Sequence, residues 1–443
     1  MATPPEHPSL ALIILDGLGD RPHPDTGDLS PVEAARTPHL DRLAAEGALG
    51  SVTVVGPGVA PESDAGVLAL LGYDPVSDSP GRGVLEALGV GVALGPGDVA
   101  FRLNFATMDG AGDVLDARVG RSLGTSEATT LAASLTRRDL LSAEGVRAEV
   151  RATVGHRGIL WLHPRDGTSL SPNVSNSDPF YEKVGGMGKA RQPTSRRPLD
   201  VRALDATPEA VRTANLTNQF LGRAAEALGA ETVNARRALA GKKVANGLLL
   251  RNAGALPRTG GAVPFLEKYG FSGTAITEMP VERGIARLLG LHDEFVGPMG
   301  PDTAEALRER VRRTRAALEK FPFVYLHLKG PDEPGHDGDA RRKLEVVEEL
   351  DRSFFGPLLD GLDRTRARFA ITADHATPCV LRGHSDDPVP LILTGAGVAP
   401  GGGAGPSAST VKFGERAALG GSLGHLLGRD VLPLLFRGAA TSP

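Results

Sequence analysis

The sequence predicts an α/β protein: a core sheet flanked by helices and built from both ends of the chain, with a smaller α+β domain inserted between them. Three observations carry this. Strand-sized apolar runs break into loops of Gly, Asp and His near both ends of the chain. Strand and helix patterns alternate in the opening segment and again after about residue 262. Between these, the texture shifts to alternating strands and polar turns. With 443 residues the chain exceeds the ~250–300 at which single cores stop growing, so one domain is not expected. The boundaries fall at 1–76 with 262–443 for the sheet-forming domain and 77–261 for the insertion.

"SLALIILDGLGD" reads as a buried strand breaking into an acidic, Gly-rich loop. Thr37 and Pro38 then cap and open a helix, "PHLDRLAAEG", that closes on Gly47. "GSVTVVGPG" is another strand, and "SDAGVLALLG" a helix from Ser63 to Gly72. In the insertion, "DVAFRLNFATM" and "RGILWLHP" are strands, residues 184–200 a loose segment, "PEAVRTANLTNQFLGRAAEALG" a helix and "NGLLLRNAG" a strand. Alternation resumes through "FVYLHLKG", a helix starting near 340, "RFAITADH" and "VPLILTG". His327, inside a strand, is expected to be a packed core histidine, while Asp337 and Asp339 serve a turn and a helix cap. "GAGVAPGGGAGPSAST" is a low-complexity surface loop.

Bulk properties exclude several classes. A net charge of -4 leaves no electrostatic footprint for nucleic acid or anionic lipid, so a small anion would have to be held locally. The single cysteine, Cys379, rules out an internal disulfide framework, and the N-terminus lacks signal-peptide order; a cytoplasmic protein is expected. No apolar run approaches the ~20 residues that span a bilayer. Oligomeric state is not legible.

Three strands deliver acids or histidines just past their apolar stretch: Asp16, then Asp332 and His336, then Asp374 and His375. His384 stands just before another strand. Ligands of open α/β sheets gather at strand carboxyl ends, so these residues are candidates for one crevice. Each also has a plainer reading as turn or cap chemistry. Carboxylates buried together repel without a cation, and mixed imidazole and carboxylate suit Mn²⁺, Zn²⁺ or Mg²⁺, with enough ligands for two ions roughly 4 Å apart. Ser63, at a loop-to-helix junction, is the candidate nucleophile; its alternative is an N-cap.

In order, "ILDGLGDRP", "SPVEAARTPHLDRLAAEG", "SDAGVLALLGYDP", "FRLNFAT", "HLKGPDEPGHDGD", "TADHATP" and "HSDDPVPLILTG" resemble the 2,3-bisphosphoglycerate-independent phosphoglycerate mutases of archaeal type, in the alkaline phosphatase superfamily. The resemblance covers nearly the whole chain. It implies an alkaline phosphatase-like core sheet with an inserted phosphotransferase domain and two divalent ions. Asp332, His336 and His384 would hold one ion, and Asp16, Ser63, Asp374 and His375 the other, with Ser63 becoming phosphoserine as 3-phosphoglycerate and 2-phosphoglycerate interconvert. Arg118 and Arg121 in "DARVGR", His156 and Arg157 in "GHRG", Arg251 in "LLLRNAG", together with Arg283 and Lys329, are the substrate-binding candidates. Asp116 and Asp178 are candidate bases. Departures from the family pattern are Asn252 for a glycine, Arg283 for a lysine, and "DARVGR" for "DRRAGR". They leave open a phosphomonoesterase or another small-molecule phosphotransferase on the same scaffold, besides a non-catalytic relative.

Overall fold

The computed structural model describes residues 8–184, 187–191, 193–257, 260–300, 302–401 and 411–437. Most of the low-complexity run, residues 402–410, lies outside them. The chain divides into two compact units, residues 1–78 with 262–443, and residues 79–261.

The first unit is organised by an eight-stranded sheet. Its strands are β1 (Ser9–Leu15), β2 (Ala48–Thr53), β3 (Gly273–Thr277), β4 (His292–Phe295), β5 (Phe323–Leu328), β6 (Ala367–Thr372), β7 (Val389–Gly395) and β8 (Gly424–Leu427). They lie in the order β4-β3-β5-β1-β6-β7-β2-β8. β1 is flanked by β5 and β6, both parallel to it, which is why "ALIIL" is continuously apolar rather than alternating. Only β7 runs against its neighbours, β6 and β2. That reversal brings the start of β7 to the edge where β1, β5 and β6 end. A residue preceding β7 therefore joins residues following the other three.

Two helices set the approach to this edge. Pro38–Glu46 begins at Thr37 as expected, but the Thr37 hydroxyl donates to Asp41 Oδ1 (3.1 Å) instead of capping a backbone N–H. Ser63–Leu70 has Glu62 at its N-cap, so Ser63 is the first helical residue and is not the cap. One turn on, a Cβ on Gly66 would stand 2.2 Å from the Asp374 carbonyl oxygen; glycine lets this helix pack against the loop after β6.

The second unit is α+β and antiparallel. Val99–Met108 lies between Arg157–Pro164 and Gly247–Gly254, with Val146–Ala152 outside Arg157–Pro164. Val99, Phe101, Leu103 and Phe105 point one way, into a core with Leu131 and Phe220. Ala100 points the other way, toward Val84 on the helix Arg82–Gly89, and strand alternation puts Arg102 and Asn104 on that same face. The pairing with Gly247–Gly254 slips between Ala100 and Arg102, a bulge that takes up Asn252, whose φ is +53°. Asparagine tolerates that left-handed conformation better than other side chains, a backbone reason for Asn252 standing where glycine is usual.

Candidate functional site

At the edge reached by β1, β5, β6 and the start of β7, two carboxylate–histidine clusters form. The first contains Asp332, His336 and His384. Asp332 and His336 are four residues apart on the short helix Asp332–Asp337, which replaces the expected loop and puts both on one face. Gly335 inside it is required, because a Cβ there would lie 2.4 Å from the Thr377 carbonyl oxygen. Asp339 caps the next helix, accepting from Arg342 N (2.9 Å). The Nε2 atoms of His336 and His384 are 3.1 Å apart, each about equally far from Asp332 Oδ1, at 3.5 and 3.4 Å. His384 Nδ1 meets the Pro61 carbonyl oxygen at 2.8 Å and must donate there. Burial disfavours charge on this ring, but Asp332 and Glu62 raise it to about 9, so without a cation Nε2 carries a proton toward Asp332 that a bound cation would replace. Burial works against charge on Asp332, yet its histidine neighbours hold the carboxyl below the usual range.

The second cluster contains Asp16, Asp374 and His375, all buried. His375 Nε2 lies 3.4 Å from Asp16 Oδ1, 3.5 Å from Asp374 Oδ2 and 3.4 Å from Ser63 Oγ. The rings of His375 and His384 stack at 3.7 Å, so the clusters are adjacent. Asp16 Oδ1 and Asp374 Oδ2 are buried without any hydrogen-bond partner. Orphaned carboxylate oxygens converging with an imidazole nitrogen are what a divalent cation satisfies, so these residues fit one.

Lys329 lies beside this cluster, its Nζ 3.1 Å from Asp16 Oδ2 and 2.7 Å from Glu282 Oε1. Against the cost of burial, Lys329 and the neighbouring imidazoles hold Asp16 well below the usual carboxylate range. His327 is fully buried, as expected of a core residue, but it is not surrounded by apolar groups. Its Nε2 is 3.4 Å from Asp374 Oδ2, and its Nδ1 is 3.4 Å from Glu282 Oε1 and 3.2 Å from the Tyr325 hydroxyl. Burial and Lys329 disfavour its charge, but the carboxylates prevail and push it up to about 10. Sequence reading missed Glu282, which also caps the helix Pro280–Leu288 through Met279 N (2.9 Å). Its signal was a capping-box glutamate three residues past Met279. Arg283 is engaged elsewhere: its Nε donates to Asp293 Oδ2 (2.7 Å) and its guanidinium covers Phe295 on edge strand β4. Its substrate role loses its geometric support.

In the second unit a basic cluster grows from the polar face of Val99–Met108. Arg102 pairs across the sheet with Arg251, and Asn104 with Arg157. Glu86 approaches Arg82 (3.2 Å) and Arg102 (3.4 Å). Burial first, then Arg82 and Arg251, push Arg102 down to about 9. Arg157 is lowered by burial as well, and His156 is pushed to about 3 by burial and by Arg157, Arg118, Arg102 and Arg121. Arg102 Nε and Asn104 Oδ1 are buried without hydrogen-bond partners. Arg118 and Arg121 are exposed and flank Val119 and Gly120, and residues 119–121 all have positive φ. A buried β-branched residue at φ +51° is strained, the kind of backbone that persists at functional sites. Asp116 is ion-paired with Lys243, and Asp178, raised by burial, faces Arg251 at 3.8 Å.

Fold and site together define an α/β enzyme carrying groups suited to divalent cations. The family model for 2,3-bisphosphoglycerate-independent phosphoglycerate mutase matches residues 44–234. The enzyme of that name from Aeropyrum pernix is 42% identical over 419 residues, 94% of this chain and 96% of its own. The one from Methanopyrus kandleri is 39% identical over 87% of each chain. Among solved structures, a Pyrococcus horikoshii protein superposes with a TM-score of 0.74 at 30% identity, covering 99% of this chain and 100% of its own. The cofactor-independent phosphoglycerate mutase of Thermoplasma acidophilum gives 0.61 at 30% identity, covering 97% and 99%. The chain belongs to the family of 2,3-bisphosphoglycerate-independent phosphoglycerate mutases and is an isomerase of that family. Among the described residues no helix is long and apolar enough to cross a membrane.

Proposed function

We propose that the chain interconverts 3-phosphoglycerate and 2-phosphoglycerate through a phosphoserine on Ser63, with two divalent ions and without 2,3-bisphosphoglycerate. Asp332, His336 and His384 would hold one ion; Asp16, Asp374, His375 and Ser63 the other. The observation that carries the reading is Ser63 Oγ 3.4 Å from His375 Nε2, the nitrogen on which two orphaned carboxylate oxygens converge, at a helix start where N–H groups favour a phosphate. A bound cation supplies Lewis acidity, lowering the pKa of the serine hydroxyl and offsetting charge on the phosphoryl oxygens. Ser63 Oγ forms a bond to phosphorus as the bond to one glycerate oxygen breaks; in return the other glycerate hydroxyl takes the group and frees the serine. Lys329 keeps Asp16 ionised throughout.

Residues 79–261 contribute anion binding. Arg102, Arg157 and Arg251, with Arg118 and Arg121, present guanidinium forks suited to phosphate and carboxylate oxygens. His156, kept neutral, hydrogen-bonds without adding charge.

The test is a coupled assay of 3-phosphoglycerate conversion without 2,3-bisphosphoglycerate, with free phosphate followed in parallel. Wild type is expected to isomerise, and Ser63→Ala to lose on the order of 10⁴-fold or more with its fold intact. Phosphate release outpacing isomerisation would instead mark a phosphomonoesterase.

A further inference from the structure

Thr377, two residues past His375, touches both carboxylate–histidine clusters. Its Oγ donates to Asp332 Oδ1 at 2.7 Å and meets His375 Nδ1 at 3.1 Å. The residue is fully buried and held from every side. Its N–H donates to the Gly19 carbonyl (2.9 Å), and its own carbonyl accepts from the buried Lys343 Nζ (3.0 Å). Gly17 has no side chain where a Cβ would stand 2.7 Å from Thr377 Oγ1.

A hydroxyl has one proton, and an ionised carboxylate can only accept. The Thr377 proton therefore goes to Asp332, and the same oxygen accepts from His375 Nδ1–H. The ring nitrogen facing Asp16, Asp374 and Ser63, Nε2, is left as a lone pair. From this geometry we propose that Thr377 is a positioning residue that fixes the ligating tautomer of His375 and couples the two clusters, so that a cation at one weakens the hold of the other on its own. The reason is a polarised chain of hydrogen bonds: charge drawn from Asp332 makes it a poorer acceptor for the Thr377 hydroxyl, whose oxygen then accepts less well from His375 Nδ1–H and leaves Nε2 less basic. The inference rests on the reading that both clusters hold cations.

Calorimetric titration of Mn²⁺ into metal-free protein, with metal content measured after dialysis, tests it. Wild type should take up two ions in two resolved steps, the second weaker than the first. Thr377→Val, which keeps the shape and removes the hydroxyl, should weaken binding by roughly 10- to 100-fold and narrow the gap between the two steps. Thr377→Ser should restore both the affinity and the gap. Thr377→Ala carries the same expectation as the valine variant if that variant does not fold. Two ions bound by Thr377→Val with wild-type affinity, or no rescue by serine, overturns the proposal alone. Wild type that binds no Mn²⁺ overturns the two-ion reading beneath it.

Discussion

The edge of the eight-stranded sheet and the polar face of Val99–Met108 pose the same problem with opposite signs. One collects carboxylates whose oxygens Asp16 Oδ1 and Asp374 Oδ2 make no hydrogen bond; the other collects guanidiniums around Arg102, whose Nε makes none either, with Glu86 at 3.4 Å. Lys329 in the first and Glu86 in the second are each a single opposite charge shared between two neighbours. Under the proposed function the difference is one of ligand, with cations completing the first region and a phosphorylated acid the second, each at a cost to the ligand-free fold.

The two can be separated experimentally. Removing cations with a chelator should abolish activity by on the order of 10³-fold or more, with recovery on adding Mn²⁺. The thermal unfolding midpoint should rise again with the metal, by an amount corresponding to about 2.7 kcal/mol at a hundredfold excess over Kd. Arg102→Met should raise KM for 3-phosphoglycerate roughly 10- to 100-fold while Mn²⁺ affinity stays unchanged. The same variant should unfold at no lower a temperature than wild type, since it relieves repulsion with Arg82 and Arg251. A drop in both affinity for metal and stability would erase the distinction between the two regions.

Acid should strike the basic region through His156. Its folded pKa, about 3, is below the ~6.5 of an unfolded histidine, so the unfolded chain takes the proton first. Stability held above pH ~6.5 is then lost as pH falls toward 3. His156→Gln should flatten that part of the urea-midpoint profile, and an unchanged profile would mean another group is responsible. Smallest of all, Asn252→Gly should be nearly neutral, whereas Asn252→Ala should cost about 1–2 kcal/mol at its φ of +53°, read as a lowered unfolding midpoint.

The two regions also differed in legibility. Asp16, Asp332 and Asp374 come within four residues of the ends of apolar strands, and a strand end is a local signal. His384 precedes its strand, and only the reversed direction of β7 explains why it belongs with the others. Arg102 and Glu86 were missed because their meeting depends on sheet register and on a helix laid across one face. The alternation in "AFRLNFA" did hold a trace of it, with Arg102 and Asn104 polar on one side of a strand apolar on the other. His327 was correctly placed inside the strand, but its surroundings come from Asp374 and Glu282, remote in sequence.

The position of β1 has a consequence in time. Its partners, β5 and β6, lie roughly 300 residues or more downstream, since Leu10 pairs with Phe323 and Ser9 with Ala367. At ~5–20 residues per second, a ribosome needs about 15–60 s to supply them. Through that interval "ALIIL" has left the ribosome without either neighbour, while all the strands of residues 79–261 have already been made. Protease digestion of ribosome-stalled chains ending at residue 300, long enough for the strand Gly247–Gly254 to clear the exit tunnel, should find the insertion resistant and the first 78 residues open to cleavage. This strongly apolar strand thus waits more than 300 residues for its first neighbour, as β2 does for β7.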